Sequence, residues 1–344
     1  FLEVLDRGAG ATKSGGTTRR AAKMVCLDMD HPEIADFIHW KAKEERKARA
    51  LIAAGYPSDF NGEAYKTVSG QNSNNSVRIT DEFMEAVLED REWATRYRTS
   101  GELYKTYKAR ELMRLISQSA WECADPGVQF DTTINDWHTS ANTDRIYASN
   151  PCSEYMFLND SACNLASINV MKFADEEGRL DIEAFRHTVR IFITAMEIIV
   201  DLASYPTKGI AQNSHDYRPL GLGYANLGTL FMVNGIPYDS PEALAIGGAI
   251  TAILTGHAYR TSAELAAAKG PFPGYPKNQS SMLRVIQKHR DAAYKIAKEN
   301  CPADLFEAAC RDWDEALELG EKFGYRNAQA SVIAPTGTIG LLMD

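Results

Sequence analysis

Short apolar runs alternate with longer segments of helical periodicity along the chain, and this alternation constrains the fold more than any other feature of the sequence. The predicted strands cover residues 23–30, 71–79, 127–132, 145–149, 165–171 and 328–334. The predicted helices cover residues 32–50, 80–92, 105–123, 181–203, 241–268, 280–298 and 304–322. Parallel neighbouring strands need long crossovers, so the pattern predicts an α/β architecture with mostly parallel strands.

Three features complete the expected organisation. Residues 1–20 are rich in glycine and threonine, which predicts a mobile loop. No fixed-period repeat or long proline-rich linker is present, so one domain is the simpler prediction. The chain begins with Phe1 and stops at Asp344, so both ends look cut. The alternation alone does not distinguish a barrel from an open sheet.

Composition excludes several classes of protein. The net charge of −9 repels polyanions and argues against non-specific nucleic-acid binding. No apolar run reaches the roughly 20 residues of a membrane-spanning helix, and no signal peptide opens the chain, so a cytoplasmic protein without membrane contact is expected. The six cysteines form no C-x-x-C pair and the histidines show no ligand spacing, so no metal site and no disulfide framework are predicted.

Two glycine-containing segments fail as nucleotide-binding motifs. The run from Gly8 to Ser14 lacks the glycine before lysine that a P-loop needs. The pair Gly221 and Gly223 lacks the third glycine of a dinucleotide fingerprint. The apolar pattern around Gly221 to Gly228 is therefore interpreted as helix packing.

The run Asn150-Pro151-Cys152-Ser153-Glu154 carries the most chemical information. Pro151 stiffens the turn and disfavours helix before it, and alternate residues of an extended loop point the same way. An amide, a thiol and a carboxylate would then lie together, able to bind a sugar diol, act as a reactive sulfur and accept a proton. A lone cysteine is more often a small buried apolar residue, so the context has to decide.

That context is a resemblance. NPCSE, the eleven-residue step from Cys152 to Cys163, and the closing APTGTIG together resemble the active-site core of ribonucleotide reductase catalytic subunits. The runs SGGTTRRAAK, DMDHPEIADFI, QNSNNSVRI and YRPLGLGYANLG extend the resemblance over nearly the whole chain. It implies a ten-stranded α/β barrel with a central finger loop, incomplete at both ends. Residues 1–344 would be part of this catalytic domain, with a specificity-type loop at 1–22, the finger loop and following strand at 145–171, and a phosphate-binding loop at 328–344.

The resemblance also implies an oxidoreductase that converts ribonucleoside di- or triphosphates to 2'-deoxyribonucleotides for DNA synthesis. Cys152 would carry the thiyl radical that removes hydrogen from the 3' carbon of the ribose. Glu154 would be the base at the 3' hydroxyl, and Asn150 would hold the sugar hydroxyls. Cys163 would be one of the two cysteines that supply electrons and form a disulfide.

The other cysteines do not complete this set. The family's second reducing cysteine lies on an earlier strand, which would precede Phe1. Cys26 and Cys123 do not match that position, and Cys301 and Cys310 are interpreted as structural.

Two loops are expected to contact nucleotides. Closely spaced backbone N–H groups of small residues suit a phosphate, although an ordinary strand-to-helix turn would look the same. The resemblance assigns substrate phosphate binding to Pro335, Thr336, Gly337, Thr338 and Ile339. A second loop would relay the identity of an allosteric deoxynucleotide or ATP effector, although as a bare glycine loop it would be a flexible connector. Its residues are Ser14, Gly15, Gly16, Thr17, Thr18, Arg19 and Arg20.

The radical source and the partners follow from the same resemblance. Side chains alone do not break a thiol S–H bond homolytically, so a cofactor is required. The opening GAGATKSGGTTRRAAKM and the NPCSE finger favour the adenosylcobalamin-dependent branch over the two-subunit di-iron branch. A thioredoxin-type reductant and a homodimer are expected. A catalytically silent nucleotide-binding barrel and a glycyl-radical enzyme are the alternatives.

Overall fold

The structure is a computed structural model that describes residues 1–12 and 21–343. Its strands are β1 (Lys23–Asp28), β2 (Ser73–Ile79), β3 (Glu92–Arg96), β4 (Leu103–Lys108), β5 (Gly127–Phe130), β6 (Asn164–Asn169) and β7 (Leu220–Ala225). Its helices are α1 (Leu2–Thr12), α2 (Ile34–Ala53), α3 (Glu63–Thr67), α4 (Asp81–Leu88), α5 (Ala109–Cys123), α6 (Asp131–Asp136), α7 (Ile182–Leu202), α8 (Lys208–Tyr217), α9 (Leu227–Val233), α10 (Pro241–Lys269), α11 (Tyr275–Ala293), α12 (Ala303–Phe323) and α13 (Gly337–Met343). Short 3-10 turns cover Val170–Phe173 and Lys298–Asn300.

The chain divides into two compact units. The first unit comprises Phe1–Asp136 and Ile146–Met156, and the second comprises Trp137–Arg145 and Phe157–Asp344. Each is described separately below. The prediction of a single domain stays a prediction.

A parallel three-stranded sheet in the order β1-β2-β5 forms the centre of the first unit. Val77 and Ile79 of β2 pack with Phe83 of α4, and Ile38 of α2 and Leu112 of α5 complete the same buried cluster. The N-terminus of α4 is fixed by Thr80, whose hydroxyl accepts a hydrogen bond from the Phe83 amide at 3.3 Å. The predicted strands at 23–30, 71–79 and 127–132 and the predicted helices at 32–50 and 80–92 are thereby confirmed, with shifted ends. The short helix α6 after β5 was not predicted.

A helix occupies the segment that the sequence analysis assigned to a mobile loop. α1 covers residues 2–12 despite Gly8 and Gly10. The buried Asp6 carboxylate accepts hydrogen bonds from the amides of Gly70 (2.9 Å) and Asn72 (2.8 Å). A Cβ at Gly10 would lie 2.8 Å from Asn72 Nδ2, so the glycine permits a close approach. The loop prediction is wrong for residues 2–12, because these tertiary contacts outweigh the low helix propensity of glycine.

Two further predicted boundaries are corrected by an antiparallel hairpin of β3 and β4. Residues 92 and 105–108 were expected to be helical, and they are extended instead. Gly101 takes a φ of +73° at the tip, where the Tyr97 amide donates to Glu102 O at 3.0 Å. Five of the six residues of β4 are exposed, including Leu103 and Tyr104, so the strand lacks the period-two apolar signal of a half-buried strand.

The second unit contains a parallel pair of strands, β6 and β7. β6 was predicted, whereas the segment from Gly221 to Gly228 was interpreted as helix packing. That interpretation is wrong for residues 220–225, which form β7, while Gly228 lies in helix α9. Because glycine has no side chain, a strand that contains several glycines lacks the alternation of apolar and polar residues by which strands are recognised. A Cβ at Gly223 would lie 2.7 Å from Val332 O, so this segment passes close to the backbone of the 328–334 segment.

Two segments predicted as strands form only single bridges. Residues 145–149 are extended, and Ser149 alone pairs, in an antiparallel bridge with Met156. In the 328–334 segment, Ser331 pairs with Leu222, and hydrogen bonds from the Leu222 amide to Ala330 O (3.1 Å) and from the Val332 amide to Leu222 O (3.0 Å) hold it beside β7. The predicted strands there are corrected to extended segments.

Long helices make up much of the second unit, and α7, α10 and α12 match the predicted ranges closely. Asp312 of α12 is fully buried and accepts a hydrogen bond from Arg186 Nε of α7 at 2.9 Å. Its other oxygen lies 3.1 Å from His257 Nδ1 of α10. A buried carboxylate with two partners fixes the relative positions of the three helices.

The mixed α/β architecture with mostly parallel strands is confirmed. Over residues 1–12 and 21–343, the largest sheet has three strands and no sheet closes into a barrel. Among these described residues, no helix is both long and apolar enough to cross a membrane.

Candidate active site

Residues 149–156 form a closed turn in the first unit, which we call the cysteine turn. The Ser149–Met156 bridge closes its base, and the Ser153 amide donates to Asn150 O at 3.0 Å. Ser153 has a φ of +63°, a left-handed conformation that non-glycine residues seldom adopt. Pro151 favours this turn because its ring fixes its own φ and keeps the preceding residue out of the helical region.

Asn150 and Glu154 are brought together by the turn. Asn150 Nδ2 donates to Glu154 Oε2 at 2.5 Å, while Asn150 Oδ1 accepts from the Tyr155 amide at 3.0 Å. The predicted proximity of amide and carboxylate is therefore observed. A hydrogen-bonded turn brings the two groups together. The sequence analysis had expected an extended loop whose alternate side chains point the same way. The pair can hold two adjacent hydroxyl groups and take a proton from one of them.

Cys152 lies between these two side chains in sequence, on the turn itself. All six cysteines lie in the described part of the chain, none is in a disulfide, and Cys152 is the exposed one. A sulfur in this position is open to a reactant, which a buried structural cysteine is not.

Cys163 belongs to the second unit, directly before β6. Its thiol donates weakly to Asn164 O at 3.4 Å, and the residue is partly buried. A Cβ at Gly221 of β7 would lie 2.6 Å from Cys163 Sγ. Gly221 therefore makes the space that the thiol occupies, and the sequence analysis missed this role. The signal was a glycine within a short apolar run, which often marks a close backbone approach in a strand.

The predicted phosphate-binding residues lie in the second unit at the start of α13. Thr336 has a φ of +57°, and its hydroxyl donates to Ala334 O at 3.0 Å. The first helical hydrogen bond runs from the Gly340 amide to Thr336 O at 2.9 Å. The positions involved are Pro335, Thr336, Gly337, Thr338 and Ile339.

A buried carboxylate in the second unit anchors the chain before that loop. Glu197 Oε1 accepts from Arg218 Nε at 2.5 Å and from Arg326 Nε at 2.7 Å. Glu197 Oε2 accepts from Asn327 Nδ2 at 2.6 Å. One carboxylate thus ties the residues before β7 to those before the 328–334 segment. The sequence analysis did not identify Glu197, because its partners are distant in sequence.

The predicted specificity residues fall outside the described residues. They are Ser14, Gly15, Gly16, Thr17, Thr18, Arg19 and Arg20. Within residues 1–12 and 21–343, no group of three or more histidine, cysteine or acidic side chains could hold a metal ion.

Comparisons with known proteins identify the family. The family model described as "Ribonucleotide reductase, barrel domain" matches residues 1–344. A vitamin B12-dependent ribonucleotide reductase from Rhodopirellula baltica is 56% identical over 100% of this chain and 33% of its own length. The protein of that name from Agrobacterium fabrum is 46% identical over 100% of this chain and 34% of its own.

A more distant relative is a vitamin B12-dependent ribonucleoside-diphosphate reductase from Mycobacterium tuberculosis, 28% identical over 99% of this chain and 40% of its own length. The chain therefore spans about a third of the length of the first two curated relatives. With the family model matched from end to end, the chain belongs to the ribonucleotide reductase family and corresponds to its barrel domain.

Proposed function

We propose that this chain carries the radical-bearing part of the active site of an adenosylcobalamin-dependent ribonucleotide reductase. The observation that carries the proposal is the cysteine turn, in which a hydrogen-bonded Asn150–Glu154 pair brackets the exposed Cys152. The names of the relatives support both the reaction and the cofactor.

In the proposed reaction, the Cys152 thiyl radical takes the hydrogen atom from the 3' carbon of the ribose. Asn150 binds the sugar hydroxyls and Glu154 takes the proton of the 3' hydroxyl, which assists departure of the 2' hydroxyl as water. Two cysteine thiols, one of them Cys163, supply two electrons and two protons and become a disulfide. Cys152 then returns the hydrogen atom to the 3' carbon, so that one water and one disulfide are formed for each deoxyribonucleotide.

The donor chemistry of the cysteine turn fits the proposed cofactor, because Cys152 presents an exposed thiol to a radical formed outside the turn. When bound, adenosylcobalamin would supply the radical chemistry by which the Cys152 thiol loses its hydrogen atom. Cys152 receives the radical and holds it as the most accessible sulfur, while Glu154 and Asn150 orient the ribose.

Further parts of the proposal concern the rest of the site. We propose that the chain forms part of a ten-stranded barrel with the cysteine turn as its finger loop. Residues 335–339 would bind the substrate phosphates, and residues 14–20 would respond to a deoxynucleotide or ATP effector. A homodimer, a thioredoxin-type reductant and a cytoplasmic location belong to the same proposal.

The test is ribonucleotide reduction by the complete natural protein, anaerobically and with a dithiol, with and without adenosylcobalamin. Deoxyribonucleotide formed only with the cobalamin is the expected result. Activity that instead requires a separate metal-containing subunit would reject the cofactor and favour the two-subunit branch. No activity under either condition would reject the enzyme and favour a silent nucleotide-binding barrel.

A further inference from the structure

Gln129 of β5 touches the cysteine turn although no catalytic role is assigned to it. Its side chain is 3% exposed. Gln129 Nε2 lies 2.7 Å from Ser149 Oγ and 3.3 Å from Ser153 Oγ. These serines stand at the base of the turn and directly after Cys152, so one amide group binds the turn at two points.

The orientation of the Gln129 amide is fixed from its other end. Gln129 Oε1 accepts hydrogen bonds from Arg78 Nη1 at 3.1 Å and from Cys26 Sγ at 3.5 Å. Burial raises the pKa of the Cys26 thiol, so it stays protonated and can donate. Because both of these partners are donors, the oxygen must face them, and the NH₂ group must face the serines.

Arg78 is itself held rigidly in the first unit. It is 2% exposed, and its Nε donates to Asp131 Oδ1 at 2.9 Å. Its Nη2 donates to Ile146 O at 2.8 Å, an oxygen that also accepts from Asn135 Nδ2 at 3.1 Å. One guanidinium therefore fixes both the chain that enters the turn and the glutamine that binds it.

The conformation of Ser153 explains why the turn needs this support. Ser153 has a φ of +63°, and a non-glycine residue keeps this strained left-handed conformation only where its surroundings hold it. The Ser153 hydroxyl is held by Gln129, and it also lies 3.2 Å from Ser149 Oγ. Loss of the amide would release the residue next to Cys152.

We infer that Gln129 is a positioning residue for Cys152, acting through hydrogen bonds to Ser149 and Ser153 that hold the cysteine turn in its left-handed conformation. The effect of Gln129 on the rate of nucleotide reduction rests on the proposed function. Its effect on the conformation of residues 149–156 does not, because it concerns the turn alone.

The test compares Gln129→Met with the wild type in the complete natural protein, measuring kcat, KM and amide hydrogen exchange of the peptide that covers residues 149–156. Methionine keeps the length of the side chain and removes its hydrogen bonds. We expect kcat to fall about 10- to 100-fold with KM nearly unchanged, because a small displacement of a reacting group has effects of this size. Exchange at the Ser153 and Tyr155 amides should be about fivefold faster, as expected for loss of one ordinary hydrogen bond. Gln118→Met is the control, since Gln118 is exposed on α5 and its Nε2 donates to Glu122 Oε1.

A double-mutant cycle tests whether Gln129 acts through the two serines. Added to Ser149→Ala/Ser153→Ala, Gln129→Met should cost little further activity. Should Gln129→Met fail to fold, the serine variant alone should show the same loss of kcat and the same faster exchange. Additive effects, or wild-type kcat and exchange in Gln129→Met, would overturn the inference. An inactive wild type would reject the proposed function instead, and the exchange measurement would still decide the role of Gln129.

Discussion

The Cys163 sulfur occupies space that any side chain at Gly221 would need, since a Cβ there would lie 2.6 Å from Sγ and 2.5 Å from Leu165 Cδ2. Glycine at this position is therefore required by the approach of β7 to β6. Gly221 carries no reactive group, yet it makes the space for Cys163, a proposed reducing thiol.

Gly221→Ala is expected to lower the free energy of unfolding by about 1–3 kcal/mol, because a crowded methyl group forces neighbouring atoms to shift. The same shift should slow nucleotide reduction in the complete protein by displacing Cys163. Denaturant unfolding and turnover measure the two effects. Gly228→Ala is the control, because its nearest atom would be 3.9 Å away on Tyr238. Equal stability of the two variants would contradict the close approach.

Cys152→Ser should abolish nucleotide reduction with little change in stability, since Cys152 is exposed and serine preserves the shape of the turn. A serine hydroxyl does not replace a thiol as a hydrogen-atom donor. Product formation and the melting temperature are the measurements, and Cys301→Ser should retain activity. Substantial turnover by Cys152→Ser would show that Cys152 does not carry the radical.

Glu154→Gln should reduce turnover on the order of 10² to 10⁴ fold if Glu154 is the general base. Its amide oxygen can still accept from Asn150 Nδ2, so the turn should persist. Turnover numbers and hydrogen exchange of the turn separate the loss of the base from the loss of structure. Glu176→Gln, at an exposed position, is the matched control. An unchanged rate in Glu154→Gln would refute the role of base.

Stability should fall as the pH falls from about 6.5 towards 4, because burial lowers the pKa of His138 to about 4. The unfolded chain takes up the proton near pH 6.5 and the folded chain does not, so acid favours unfolding by on the order of 2–3 kcal/mol across this window. In the folded state, His138 Nδ1 accepts from the Ser140 amide, and Nε2 lies 3.1 Å from Asp144 O.

Urea unfolding at several pH values measures this dependence. His138→Gln should make the pH profile less steep, and His289, whose pKa burial also lowers to about 4, should account for part of the remaining slope. A profile in His138→Gln as steep as that of the wild type would show that another group is responsible.

The parts of the fold that sequence predicted are those in which local and tertiary signals agree. Thr80 is an N-cap residue in sequence and in structure, and α7, α10 and α12 follow their apolar periodicity. The errors occur where contacts distant in sequence decide the structure. Asp6 stabilises a helix that contains two glycines, and Gly221 lies in a strand that passes so close to Cys163 and Val332 that no side chain fits there.

In the candidate site, too, local groupings could be predicted and contacts between distant residues could not. Residues adjacent in sequence, such as Asn150 and Glu154, could be grouped from the motif alone. Gln129 and Glu197 could not, because their hydrogen-bond partners are brought to them by folding.

The β3–β4 hairpin has a consequence for evolution and for protein engineering. Trp93 and Tyr107 pack against the buried cluster of the first unit, whereas a Cβ at Gly101 would meet no atom within 4 Å. Selection for a stable core is therefore expected to act on the strands of this hairpin more than on its tip. A fluorescent reporter inserted between Thr99 and Gly101 would be tolerated on the same grounds, and it would mark the protein in cells without altering the cysteine turn.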